Sequence, residues 1–119
     1  MIMNQTQEYM LIFRFEPNND YQPTAEEQAA QAASWGKFIG GIALQEKLVN
    51  VQQLGFDGHI IKADDTSSPS LYQVNNEIMG GNMVVKAASI EEAIALGKDC
   101  PILSAGGSVE VRSIMPMNH

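Results

Sequence analysis

The sequence predicts an α+β fold: a ferredoxin-like βαββαβ subunit with a four-stranded antiparallel sheet and both helices on one of its faces. Three observations point to it. Segments that alternate sides at every second residue stand near both ends and in the middle of the chain, two capping boxes open helical stripes between them, and the order strand, helix, two strands, helix, strand has one economical packing when crossovers are right-handed. At 119 residues the chain fits one domain, 1–119, with length enough to bury a core.

Tyr9 to Phe15 (YMLIFRF) is the first strand. Tyr9, Leu11, Phe13 and Phe15 share one side, and Met10, Ile12 and Arg14 share the other. The stretch EPNNDYQP is a loop marked by Pro17, Asn18, Asn19 and Pro23. Thr24-Ala25-Glu26-Glu27 is a capping box, in which the Thr24 hydroxyl accepts from the Glu27 amide and the Glu27 carboxylate reaches back. The helix it opens runs to about Glu46, with Ala32, Trp35, Ile39 and Ile42 on one apolar stripe. Gly36, Gly40 and Gly41 each weaken such a helix by about 1 kcal/mol relative to alanine, and close approach to a sheet is the expected reason for them.

Leu48 to Leu54 and His59 to Ala63 are strand pieces around the turn GFDG. DDTSSPS, Asp64 to Ser70, has the turn chemistry of a surface loop. Gly81 to Ala87 is another strand, with Met83 and Val85 on one side and Val84 on the other. Ser89-Ile90-Glu91-Glu92 is a second capping box; its helix is expected to bury Ile90, Ala93, Ile94 and Gly97 and to stop by Pro101. Gly106 and Gly107 then turn the chain into the last strand, Ser108 to Ile114. No internal repeat, low-complexity segment or linker interrupts this order.

Composition narrows the function classes. Seven basic against fourteen acidic residues give a net charge of −7, with no basic run, which argues against a nucleic-acid partner. The single cysteine, Cys100, allows no internal disulfide and no cysteine metal cluster. The start MIMNQTQEYMLIFRF lacks a basic region followed by a long apolar one, and no apolar run approaches the ~18 residues of a membrane span. A soluble, cytoplasmic protein with no membrane partner is expected. The sheet face away from the helices would carry Met10, Ile12, Val84 and Ile114, an apolar surface that needs a cover. A homodimer closing two such sheets face to face around a cavity is the predicted assembly.

The chain resembles the YCII-related family, in particular its DGPF branch. The resemblance is carried by EYMLIF, by WGKFIGG and EKLVNVQQLG, and by EIMGGNMVVKAASIEEAIALGKDCPILSAGGSVEVRSIMP. It implies a ferredoxin-like subunit assembled as a dimeric α+β barrel. A His-Asp pair is proposed as catalytic in part of the family, and the wider barrel superfamily includes isomerases and monooxygenases. The segment that relatives write Asp-Gly-Pro-Phe falls on PSLY, Pro69 to Tyr72. Pro69 stands where the aspartate would be, Tyr72 keeps the aromatic, and Glu77 keeps the acid before the glycine pair. The first helix offers Gln28 and Gln31 where a histidine would be sought, so a His-Asp pair does not carry over.

Several residues are candidates for chemistry. By alternation Ser108, Glu110 and Arg112 lie on the face opposite Val109 and Val111, and Arg14 lies on the corresponding side of a neighbouring strand. The three charges either hold a carboxylate ligand through a guanidinium or satisfy one another at the dimer seam. His59 follows Asp57 by two residues across a turn-prone Gly58; the two are either a base with its orienting acid or an edge-strand histidine and a turn residue. His119 is terminal and supplies no second metal ligand, so no metal and no cofactor are expected. Glu77 precedes Gly80-Gly81, which permit either a bulge or close approach of a ligand. Asp64 and Asp65 solvate a loop. Cys100 is a small buried residue at a helix end, its thiolate suppressed. Trp35 belongs to the core stripe or lines a pocket.

The leading expectation is a homodimer that binds a small, anionic organic molecule between its sheets, with Arg14, Arg112 and Glu110 around the charge and Tyr72 and Trp35 as apolar wall. The alternatives are a metal-independent isomerase or lactone-processing enzyme with Glu77 or His59 as proton carrier, and a structural or regulatory interaction domain.

Overall fold

The computed structural model describes residues 5–18 and 20–117; Asn19 and His119, both named above, lie outside them. The elements are β1 (Gln7–Phe15), α1 (Ala25–Leu44), β2 (Leu48–Gln53), β3 (Ile60–Ile61), β4 (Ser67–Ser68), β5 (Ile78–Ala87), α2 (Ile90–Gly97), α3 (Pro101–Ser104) and β6 (Ser108–Ser113). This is a mixed α+β architecture. Four strands form an antiparallel sheet in the order β2-β5-β1-β6, and β3 and β4 form a separate hairpin.

The core forms on one face of the sheet because β1 and β5 bring their apolar alternates into register. Leu11 lies opposite Met83 and Tyr9 opposite Val85, and Leu11 lies opposite Val111 on the other flank. Leu11, Met83 and Val85 are fully buried, each contributing about 1.5–3 kcal/mol of apolar burial. Phe38 and Ile42 of α1, Ala93 of α2, Cys100, and Ile102 of α3 complete the cluster.

The helices depart from expectation in instructive ways. Thr24 caps α1 with the full reciprocal box, Thr24 Oγ1 accepting from the Glu27 amide at 3.1 Å and Glu27 Oε1 from the Thr24 amide at 3.0 Å. Packing, however, is confined to the C-terminal half: Phe38 and Ile42 are buried, Trp35 and Ile39 half-buried, and Ala32 exposed. The stripe therefore runs through Phe38, one position over from the expected Ala32 line. The helix ends at Leu44, and Glu46 follows at φ 59°. Nothing lies within 4 Å of a Cβ built at Gly36, Gly40 or Gly41, so these glycines do not serve close approach to the sheet.

Gly97 in α2 does that work, since a Cβ there would sit 3.4 Å from Val109 Cγ1 and 3.7 Å from Leu11 Cδ2. With Ala93 and Gly97 turned inward, Ile90 and Ile94 are exposed and not buried as the pattern suggests. Small residues take the inner face because the helix lies close to β6 and β1. Ser89 Oγ accepts from the Glu92 amide at 3.2 Å, but the Glu92 carboxylate pairs with Lys47 at 3.2 Å, leaving half a capping box. Pro101 does not merely stop α2; it opens α3, where its missing N–H costs nothing.

Between β2 and β5 the chain leaves the sheet as an arm, residues 54–77. Ser67–Ser68, expected as loop, pairs with Ile60–Ile61, and the strand piece expected at 59–63 shrinks to those two residues. The turn is built by Asp64, whose carboxylate accepts from the Thr66 amide and hydroxyl; these bonds hold its pKa below the ordinary value. Asn75 and Asn76, at φ 51° and 66°, form a two-residue hairpin turn closed by reciprocal 2.8 Å bonds between Val74 and Glu77. Both central residues have positive φ, the type I′ geometry that Asn tolerates. β5 accordingly starts at Ile78, earlier than the expected Gly81.

The face away from the helices also differs. Ile12 and Val84 are only 6% exposed and Met10 and Ile114 half-buried. Polar neighbours in register, Asn82 and Glu110 beside Ile12, Arg112 beside Met10 and Asn50 beside Val84, border that apolar strip. Exposed apolar side chains stand elsewhere, among them Leu44 at the end of α1, Leu54, Phe56, Ile61, Tyr72 and Val74 on the arm, and Met115 and Met117 after β6. Among the described residues no helix is long and apolar enough to cross a membrane.

Candidate functional site

At one end of the sheet β1 and β2 finish while β5 and β6 begin, and a register shift between Phe13 and Arg14 marks that end. The glycine pair makes it possible. A Cβ at Gly80 would meet Phe15 Cε1 at 2.6 Å, and one at Gly81 would meet the Gln52 carbonyl oxygen at 2.5 Å. The glycines thus answer close approach within the chain itself.

Arg14 occupies this end, opposite Met79 on β5 and Ser108 on β6. Its Nη2 donates to Glu110 Oε1 at 3.4 Å, the one ion pair that Arg14 makes among the described residues; the two side chains are 22% and 48% exposed. Next to it, Ser108 Oγ donates to Glu77 Oε1 at 2.7 Å in a partly buried setting. Glu77 reaches Ser108 because the Asn75-Asn76 turn delivers it directly to the start of β5.

Arg14 also lines a cleft of about 520 Å³ between the sheet end and the arm. The other walls include Leu54, Tyr72, Val74, Ile78 and Met79, with Asp57 the only carboxylate among the described residues. A guanidinium set in a largely apolar cleft, with one long contact to a half-exposed acid, keeps donors available for a planar oxyanion.

The candidate residues thus divide. Arg14 and Tyr72 share the cleft, Glu110 pairs with Arg14, and Glu77 adjoins them through Ser108. Arg112 stands further along β6, opposite Met10, and is outside both the cleft and the ion pair. Trp35 packs edge-on against Phe13 at 5.3 Å and Phe38 at 6.0 Å on the helix side of β1, so it does not share a wall with Tyr72. His59 lines a second cleft of about 510 Å³ with Phe56, Asp57, Gly58, Pro69 and Ser70. Among the described residues no hydrogen bond joins Asp57 to His59.

Ser108, Val74 and Met79 belong to the site without having been singled out. Ser108 alternates with Glu110, which was a usable signal; the Asn75-Asn76 dipeptide was the signal for the hairpin that carries Val74 and Glu77. No group of three His, Cys, Asp or Glu that could hold a metal occurs among the described residues. Cys100 is buried, and burial raises its thiol pKa. The alkaline shift arises from desolvation, since the amide of Ile102 works in the opposite direction.

No curated protein matches the chain. The family model of the YCII-related domain does, over residues 7–118, a span that takes in β1, both longer helices, the arm and every residue of the Arg14 cleft. The protein belongs to the YCII-related family.

Proposed function

We propose that this chain is a DGPF-branch member, a ferredoxin-like subunit of a dimeric α+β barrel, and that the homodimer binds a small organic anion at the Arg14 cleft in the cavity between its sheets. The strand order β2-β5-β1-β6, with helices against one face, supports the ferredoxin-like assignment. The branch assignment rests on the quoted segments, with Pro69 and Tyr72 standing in the motif positions.

The observation that carries the ligand reading is Arg14 itself: a guanidinium in an apolar-walled cleft, held by a single 3.4 Å contact to Glu110. A ligand carboxylate would take the free donors while Leu54, Tyr72 and Val74 cover its apolar part. Small carboxylates should therefore raise the melting temperature of the wild type by mass action. Arg14→Met should weaken that response at least about tenfold, the value of one charge-assisted contact. An unchanged response in Arg14→Met would overturn the assignment.

One observation favours a second reading, a metal-independent isomerase or lactone-processing enzyme. The Ser108-to-Glu77 bond places a hydrogen-bonded carboxylate beside Arg14, a position from which Glu77 could carry a proton of a bound substrate. His59, the other proton carrier considered, lies in the adjoining cleft. Turnover of a lactone by the wild type that Glu77→Gln abolishes, with binding retained, would select this reading.

A further inference from the structure

The two clefts beside the arm share one residue. Asp57 lines the Arg14 cleft of about 520 Å³ and also the His59 cleft of about 510 Å³, each within the size range of small-molecule sites. Its neighbours in the chain hold it there. Phe56 lies edge-on to Phe15 at 6.3 Å, and the Leu71 side chain fills the space that a Cβ at Gly58 would take. The Asp57 carboxylate is therefore carried on a backbone anchored on both sides.

Arg14 and Asp57 line one cleft and do not neutralise each other. Among the described residues the ion pairs are Arg14 with Glu110 and Lys47 with Glu92, and Asp57 belongs to neither. The cleft thus holds a cation with donors to spare and an unpaired carboxylate, with Leu54, Leu71, Tyr72 and Ile78 around them. A ligand that covers Asp57 without offering a donor strips water from a carboxylate and leaves it unpaired. That costs about as much as one contact to Arg14 contributes. The chain as a whole adds a field of the same sign, since a net charge of −7 repels a simple anion and leaves a zwitterion unaffected at long range.

We propose that the ligand of the Arg14 cleft is an amino carboxylate with an apolar body, its carboxylate on the Arg14 guanidinium and its ammonium on the Asp57 carboxylate. The proposal rests on the Arg14 reading above and adds a second anchor to it. Each charge of the ligand meets an opposite one, the apolar side chains of the wall cover the body, and no net charge enters the cleft. Asp57 is then the residue that sets specificity. It separates amino acids from amine-free acids, because a site built around one polar group rejects the analogue that lacks its partner.

Isothermal titration calorimetry of the full chain tests this with three pairs of probes: leucine and isocaproate, phenylalanine and hydrocinnamate, ε-aminocaproate and caproate. In at least one pair the wild type should bind the amino carboxylate about tenfold or more tightly than its amine-free partner, the value of one charge-assisted contact. Asp57→Asn should remove that preference, and Arg14→Met should weaken both members of the pair. Asp57→Ser gives the same reading should Asp57→Asn lose native helicity. A wild type that binds the amine-free member as tightly in every pair, or an Asp57→Asn that keeps the preference, would overturn the proposal. In either case, binding that Arg14→Met weakens leaves the Arg14 site standing. A preference that Asp57→Asn removes, with affinities that Arg14→Met leaves unchanged, would overturn the Arg14 reading and keep only the Asp57 contact. Binding of none of the probes would overturn both.

Discussion

A Cβ at Gly107 would lie 2.4 Å from the Arg14 carbonyl oxygen and 2.7 Å from Ile102 Cγ1, while one at Gly36 would meet nothing. The two glycines look alike in the sequence and differ only in what folds against them. Gly107→Ala should destabilise the protein by about 1–3 kcal/mol through overpacking against backbone, and Gly36→Ala should stabilise it by about 0.5–1 kcal/mol through helix propensity; chemical denaturation of the two variants reads both signs. Cys100 is a second residue whose environment sets its behaviour. Its pKa is raised above the ordinary 9.0 by burial, so the folded state holds that proton more tightly than the unfolded chain. The associated stability is fully present below pH 9 and is lost as pH rises towards the folded value. Denaturation from pH 8 to 11 should show stability falling, with a shallower slope in Cys100→Ala. Some slope should remain, because Tyr21, bonded to the Glu27 carboxylate, is shifted the same way.

At the scale of elements, local signals were read well where the backbone makes its own bonds. The Thr24 box opens α1 as its four residues indicate, and Thr24→Ala should cost about 1 kcal/mol, measurable by urea titration. The acid side of the same cap has a definite sign. Glu27 is held below its ordinary 4.5 by the Tyr21 hydroxyl first and by the Thr24 amide second. Its contribution is present above pH 4.5 and disappears as pH falls, so Glu27→Gln should flatten the acid limb of the stability profile. The second box looked equivalent in sequence, yet Lys47, 45 residues away in the chain, captures Glu92. The same contrast separates Ile90 and Ile94 from Ala93 and Gly97. Helical periodicity names a stripe, but the spacing between α2 and the sheet selects the smaller residues for the inside. Asn75-Asn76 was legible as a turn and was missed, which hid both the start of β5 and the delivery of Glu77.

For the whole molecule, the division between a dense sheet and an uncovered periphery has a dynamic consequence. β1 and β5 are central and bear the fully buried Leu11, Met83 and Val85, whereas residues 25–34 of α1 are exposed throughout. Native-state hydrogen exchange should find the slowest amides in β1 and β5 and the fastest helical ones before Trp35. Comparable protection along all of α1 would mean that its N-terminal half is covered in solution. The Arg14 cleft sits where these two regimes meet, with one wall from the rigid sheet and the other from the arm.

By itself the sequence determined the α+β class, the strands of the sheet, the first helix cap and the shared face of Arg14 and Glu110, because alternation, capping and neighbouring strand order act over short ranges or follow from chirality. Only the tertiary structure decided that Trp35 and Arg112 stand apart from Arg14, that Glu77 arrives beside Ser108, and that Phe56, Ile61 and Tyr72 of the arm are left exposed. Those outcomes depend on how far each element lies from its neighbours and on where a bulge shifts the register, and residue order encodes such distances only through the packing of the whole chain.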